Sequence, residues 1–382
     1  MLQTFPGRLV RQRFAREVVG PAYDQLDGAS RAAHARAHPR AFFRVTRSPS
    51  DDPTLSTDEL ARASRGVLED LLDDGVFDEP VDGLMLYELG IDGHRQIGIV
   101  AALPLAAAAD GRVLRHELTR PDRVDVLALN QQIVGAWSSP VALTYRADPP
   151  TDEVVAALSA RPADIELVGH YAVDQRIWRI DDPAEITALR SAFRRRVTYI
   201  IDGHHRLDAA VHRDDPVDPL VVLFPHDQLR LRGFHRVVSD VEATAVLDRA
   251  VPIGAGEDPR PAGPGQVGVW AAGRWHRLEL PAASGRRLVD QLDVSRLQDG
   301  IIGPLLGVTD PRTDPRLHHL PDSAGLDGVR TRAGENGIGF VLAAISVDDL
   351  LAVSDAGDTM PPKSTSFEPK ARSGLILRLD ED

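Results

Sequence analysis

The spacing of apolar positions changes period several times along this chain, and each change marks an element. Leu60, Ala63, Val67 and Leu71 recur at helical intervals, which predicts a helix over 58–72 with Thr57 as its N-cap. Residues 83–89 and 96–103 read as paired strands joined by the turn Gly90-Ile91-Asp92-Gly93. Strand-like runs return at 140–145 and 177–180. Asp182-Pro183-Ala184-Glu185 is a helix start, with aspartate as N-cap and proline at the first helical position, and Ile186, Leu189 and Phe193 then share a face. That helix delivers the chain to the apolar run Val197-Thr198-Tyr199-Ile200-Ile201. The run ends in a polar, glycine-bearing turn, after which Leu207, Ala210 and Val211 return at helical spacing.

Beyond the turn, 217–224 reads as a buried strand, and 254–265 is rich in proline and glycine, as a linker would be. A hairpin is predicted over 266–280 with Ala272-Gly273 near its turn, and helices over 293–306 and 346–352. The fold class expected is α+β, a mixed α/β chain in three segments: 1–109, 110–245 and 246–382. At 382 residues the chain is too long for one ordinary core, which agrees with two or three domains.

Composition removes several function classes. No cysteine is present, which excludes disulfides, thiolate metal sites and cysteine nucleophiles. The net charge of −13 disfavours nucleic acid and anionic membranes as partners. The run Arg194-Arg195-Arg196 reads as a helix C-terminus, where cations complement the dipole. The longest apolar run, 99–109, is interrupted by Pro104, and Met1-Leu2-Gln3-Thr4-Phe5-Pro6 lacks the basic start of a signal peptide. A cytoplasmic protein is expected.

Three constellations can carry chemistry. The first is Asp202-Gly203-His204-His205-Arg206, at the junction of strand and helix. Free backbone N–H groups at a helix N-terminus favour an anion, Gly203 lets backbone approach it, and Arg206 can fork onto phosphate oxygens. Asp202 can hold a magnesium ion, and His204 or His205 can stabilise charge on a transferring phosphoryl group. The second is His116-Glu117-Leu118-Thr119, where a glutamate beside basic groups can act as general base toward a hydroxyl. Its helical HExxH form is absent, so a zincin is excluded, and the adjacent His204 and His205 are poorly disposed to share a zinc with His116. The third is the segment 360–370: Lys363 and Lys370 suit polyphosphate, and Ser364 and Thr365 can donate hydrogen bonds to it. Phe234-His235-Arg236-Val237-Val238 can return a second arginine to the site or merely begin a strand.

With "VVGPAYD", "RHELT", "YIIDGHHRLDAA", "FHRVV", "LDVSRL" and "MPPKSTSFEPKARSGLI" following in order, the chain resembles a prokaryotic family catalogued as domain of unknown function 1015. The "DGHHR" turn looks like the phosphate-binding turn of the ParB/sulfiredoxin-like superfamily, which implies a central domain of that kind. Some of its members are free-serine kinases. Carried over on that resemblance, Glu117 is the base on the acceptor hydroxyl, and Asp202, His204, His205 and Arg206 hold the nucleotide phosphates and magnesium; the "PPKST" segment receives no kinase role from it. The catalytic candidates are thus Glu117, His116, Asp202 and His204, and the phosphate-binding candidates Gly203, His205 and Arg206, with Lys363, Ser364 and Thr365 on the strength of their own chemistry. The cofactors implied are Mg2+ and ATP or ADP. The chain departs from the family at Pro21-Ala22, where a double proline is usual, and at Leu207 and Ser366, where tyrosines are usual.

The function expected is therefore a kinase that moves a phosphoryl group from a nucleotide to the hydroxyl of free L-serine or a related metabolite. The alternative is a nucleotide-binding regulator or switch without a metabolite acceptor.

Overall fold

In the computed structural model residues 1–254 and 256–381 are described, Asp24 as backbone only. Ala255 of the expected linker, and Asp382, lie outside the described residues. The chain divides into two compact units, one formed by residues 1–114, 119–229 and 369–382, the other by 115–118 and 230–368. The three consecutive segments expected from sequence are regrouped by strand pairing. A boundary at 109/110 would cut one sheet in two, because Ala102–Ile99 pair with Leu220–Leu223. The strand Phe234–Val238, expected with the middle segment, belongs instead to the second unit.

The first unit is a large mixed sheet with helices packed on it. Its strands are β1 (Phe5–Leu9), β2 (Val81–Ile91), β3 (His94–Ala102), β4 (Val113–Leu114), β5 (Ala136–Trp137), β6 (Val141–Tyr145), β7 (Ile165–His170), β8 (Val173–Ile180), β9 (Thr198–Asp202) and β10 (Leu220–Pro225). The order is β4-β9-β6-β10-β3-β2-β1, then the C-terminal strand Ile376–Leu379, then β5, with β8 also paired to β2 and β7 to β8. β10 is buried at every position because it lies inside the sheet, parallel to β6 and antiparallel to β3. Between β2 and β3 the expected four-residue turn shortens to Asp92-Gly93. Both take positive φ, 49° and 75°, the geometry of the tight turn that matches strand twist.

Helix α1 spans Thr57–Asp73, close to the predicted limits, but its cap is Ser56 and not Thr57. The Ser56 hydroxyl accepts from the Glu59 N–H at 3.2 Å while the Glu59 carboxylate accepts from the Ser56 N–H at 2.8 Å, a reciprocal cap that Thr57 cannot make with Glu59. α2 (Pro121–Val134) packs against α1 and against α4 (His204–His212), with Val124, Ala128 and Ala209 buried together. α3 (Pro183–Ala192) opens as read from sequence, Asp182 accepting from the N–H groups of Ala184 at 2.9 Å and Glu185 at 3.0 Å. The arginine run follows its end, and Arg196 pairs with Asp148 at 2.7 Å while lying over the rings of Tyr145 and Phe193.

The second unit holds β11 (Leu231–Arg232), β12 (Phe234–Val238), β13 (Ala250–Pro252), β14 (Gln266–Ala271), β15 (Arg274–Glu279), β16 (Leu317–Pro321), β17 (Ile338–Val341) and β18 (Ser366–Phe367). Six form a sheet in the order β13-β15-β14-β17-β12-β16, and β11 pairs separately with β18. The predicted hairpin is β14–β15, turned at Ala272-Gly273. Helix α5 (Gly325–Ala333) covers one face, burying Val237, Val329, Ala333 and Val341. The helix expected over 293–306 forms with a π-helical turn, Gln298–Ile302, in its middle. No helix among the described residues is long and apolar enough to cross a membrane.

Candidate functional site

In the first unit the sequence places the turn where it was read. β9 is buried up to its last residue, Asp202, and Gly203 follows with φ 93° and ψ 25° before α4 begins at His204. Only glycine enters that region freely, and a Cβ there would also meet the Arg206 guanidinium at 2.9–3.0 Å. The N–H groups that open α4 have no carbonyl to reach within the helix and carry the positive end of its dipole.

The side chains around the turn are committed differently from expectation. Arg206 does not present its fork outward. One of its terminal nitrogens donates to the Ser139 and Pro140 carbonyls, both at 2.8 Å, and the other pairs with Asp202. The guanidinium thus ties the turn to the loop before β6. Asp202 accepts from Arg206 on one oxygen and from Lys370 Nζ at 3.1 Å on the other. His205 Nε2 accepts from the backbone N–H of Arg120 at 3.0 Å, so that nitrogen carries no proton and caps the start of α2. Thr119 donates to Asp208 at 2.5 Å across the same pair of helices. His204 is buried.

Magnesium does not fit Asp202 as it stands. Both of its oxygens answer cations, and no group of three histidine, aspartate or glutamate side chains suited to a metal occurs among the described residues. What the turn offers is a helix N-terminus flanked by two cations and one carboxylate.

The other candidates lie in the second unit. His116 is buried, its Nε2 3.0 Å from the Thr365 hydroxyl and its carbonyl accepting from the Met360 N–H at 2.8 Å. The segment 360–368, without helical periodicity in sequence, is therefore docked on His116 and pinned by the β11–β18 bridge. Ser364, expected to donate to polyphosphate, donates to the Pro361 carbonyl at 2.5 Å, and Thr365 is engaged with His116. Arg236 is fully buried and donates to the carbonyls of Phe234 and Pro362 at 3.1 and 2.9 Å. Burial pulls its guanidinium down to about 9, with the charge of Glu117 acting the other way, so it stays protonated at neutral pH. Lys363 takes φ 54°, with its ammonium 5.9 Å over the Phe234 ring. His319, opposite Arg236 on β16, is held down to about 3 by burial and by the charges of Arg236 and Lys363. No local motif marks His319, since only strand pairing brings it to Arg236.

The candidates thus fall into two groups. Asp202, Gly203, His204, His205 and Arg206 stand together with Lys370, and His116 and Glu117 stand together with Lys363, Ser364, Thr365 and Arg236.

No curated protein matches the chain. Among solved structures it is similar to a free serine kinase in complex with AMP, at 12% identity and TM-score 0.39, over 74% of this chain and 92% of that one. It is also similar to a conserved hypothetical protein from Pyrococcus furiosus, at 12% identity and TM-score 0.37, over 72% of this chain and 93% of that one. A third likeness is to SbnI with a C-terminal truncation, from Staphylococcus aureus, at 11% identity and TM-score 0.33, over 72% and 84%. The sequence itself matches the family described as "Protein of unknown function (DUF1015)" over residues 4–295, most of the chain's length, and the chain belongs to that family.

Proposed function

We propose that this protein is a small-molecule kinase that transfers a phosphoryl group from ATP or ADP to the hydroxyl of a small metabolite, with free L-serine as the reference acceptor. The observation that carries the reading is the turn at the head of α4. A left-handed glycine, a helix N-terminus and Lys370 meet where the sequence resembles the phosphate turn of free-serine kinases. In this reading the opening N–H groups of α4 and Lys370 neutralise the transferring phosphoryl group. Arg206 keeps the turn in shape through Ser139 and Pro140, and its part in nucleotide binding is indirect. Glu117, whose charge acts on buried Arg236, takes the proton from the acceptor hydroxyl. His116, bonded to Thr365, positions the glutamate next to it in the chain. Magnesium, in this reading, arrives with the nucleotide phosphates. The serine-like substrate class and a cytoplasmic setting are part of the same proposal.

The experiment is mass spectrometry of the protein incubated with magnesium, ATP or ADP, and a panel of hydroxylated metabolites led by L-serine. A phosphorylated acceptor formed by the wild type and absent with Glu117→Gln is the expected outcome. Nucleotide bound or slowly hydrolysed, with turnover indifferent to every acceptor, would instead make the protein a nucleotide-dependent switch.

A further inference from the structure

The second unit carries a cluster of charge that the phosphate turn does not explain. β12 sends Phe234 and Arg236 to one face of the sheet and His235 and Val237 to the other, the latter packed under α5. Across the strand pair, His319 stands opposite Arg236 on the same face, and such pairs bring side chains within contact. The segment 360–368 lays Lys363 over Phe234, and the Pro362 carbonyl takes a hydrogen bond from Arg236 at 2.9 Å. Lys363 is held left-handed, a conformation uncommon for a side chain of its kind and one that recurs at ligand clamps. Half-buried His319 has a buried Nε2 without a hydrogen-bond partner, and the charges of Arg236 and Lys363 help keep its ring neutral.

We propose that Lys363, Arg236 and His319, on this face of β12 and β16, form a binding site for the carboxylate of a small hydroxy or amino acid. Arg236 and Lys363 bring two positive charges to this face, and the charge of Glu117 acts on Arg236. A carboxylate, with one negative charge, meets less repulsion from Glu117 there than a phosphate dianion would. His319 adds a neutral ring nitrogen that can donate to a carboxylate oxygen. The site reassigns Lys363 from the nucleotide to a second ligand. That this ligand is the phosphoryl acceptor rests on the kinase reading; binding of the acid does not.

The test is calorimetric titration of the full-length, nucleotide-free protein with L-serine, L-threonine and D-glycerate, with the uncharged amides of each, and with inorganic phosphate. At least one acid is expected to bind, its amide at least tenfold more weakly, and phosphate more weakly than the acid. Lys363→Met is expected to weaken the acid at least fivefold and to leave ADP titration unchanged, and Lys363→Arg to restore binding. Equal affinity for acid and amide, tighter binding of phosphate, an unaltered Lys363→Met variant, or silence toward all three acids would each overturn the assignment. ADP titrations on the same samples keep the two ideas apart. Acid binding without ADP binding removes the kinase and leaves this site, while ADP binding with phosphoryl transfer and silence toward all three acids does the reverse.

Discussion

The two chemistry-bearing regions are built by opposite devices. The turn of the first unit is a product of local sequence: a buried strand, one glycine with φ 93° and a helix occupy fifteen consecutive residues, and Lys370 and the carbonyls of Ser139 and Pro140 join it from far along the chain. The cluster of the second unit has no local logic. Its members come from 115–118, from β12, from β16 and from 360–368, and they meet only because strands pair and a proline-rich segment docks. A local device is robust and generic, since any anion suits a helix N-terminus. A cluster assembled from four distant segments can be tuned residue by residue, which suits it to recognise one small molecule. The division of labour proposed here, phosphate on the turn and acceptor on the cluster, follows from that difference.

The comparison breaks most visibly at Glu117. Glu117→Gln removes the proposed base of the second region. Phosphoryl transfer is expected to fall roughly 10²–10⁴-fold, the range typical of a lost general base. ADP affinity should stay within a few-fold, measured by calorimetry on the same preparation. Gly203→Ala attacks the other region. The φ of 93° and the Arg206 contact at 2.9 Å together should cost about 1–2 kcal/mol of stability. A fall in the urea midpoint together with lost ADP binding is the expected pair of results. An unchanged midpoint would mean that the left-handed turn is not needed.

The same difference governs what could be read before the structure. α1, α3, the β2–β3 and β14–β15 hairpins and the turn before α4 were legible because caps, tight turns and period are local signals. Side-chain commitments were not. Arg206 looked like a phosphate fork because nothing in sequence foretells the carbonyls of Ser139 and Pro140, and Asp202 looked like a magnesium ligand because its pairing with Lys370 spans 168 positions. The cap of α1 slid from Thr57 to Ser56 because the reciprocal bond with Glu59 needs a three-residue spacing. His319 escaped notice altogether, as its role depends on β12–β16 pairing.

A pH titration sharpens the second region. Half-buried His319 is held down to about 3, far below the ordinary histidine value near 6.5, because desolvation and then the charges of Arg236 and Lys363 oppose its protonation. As pH falls below about 6.5, the unfolded chain takes up a proton that the folded chain refuses. Stability present at neutral pH is therefore lost progressively toward pH 3, with a slope of up to ~1.4 kcal/mol per pH unit. Between pH 6.5 and 5 the wild type should lose roughly 1 kcal/mol more than His319→Gln in urea unfolding. Parallel pH profiles for the two proteins would show that His319 does not sit between the two cations in solution.

The smallest expected effect has the most informative sign. In the first region Asp202 pairs with both Arg206 and Lys370, side chains that are partly exposed, so Asp202→Asn should cost no more than about 1 kcal/mol of stability. Its effect on anions separates two roles for the carboxylate. If Asp202 restrains the cations of the turn, its neutralisation raises the local charge by one. Affinity for inorganic phosphate or ADP without magnesium should then rise by roughly threefold to tenfold, as expected for one charge a few ångströms away in a partly solvated site. If Asp202 instead binds magnesium once a nucleotide is present, the same substitution should leave metal-free binding level and weaken ADP only when magnesium is added. Paired ADP titrations with and without magnesium give opposite orders for the two roles. The present geometry, with a cation on each carboxylate oxygen, requires the first order.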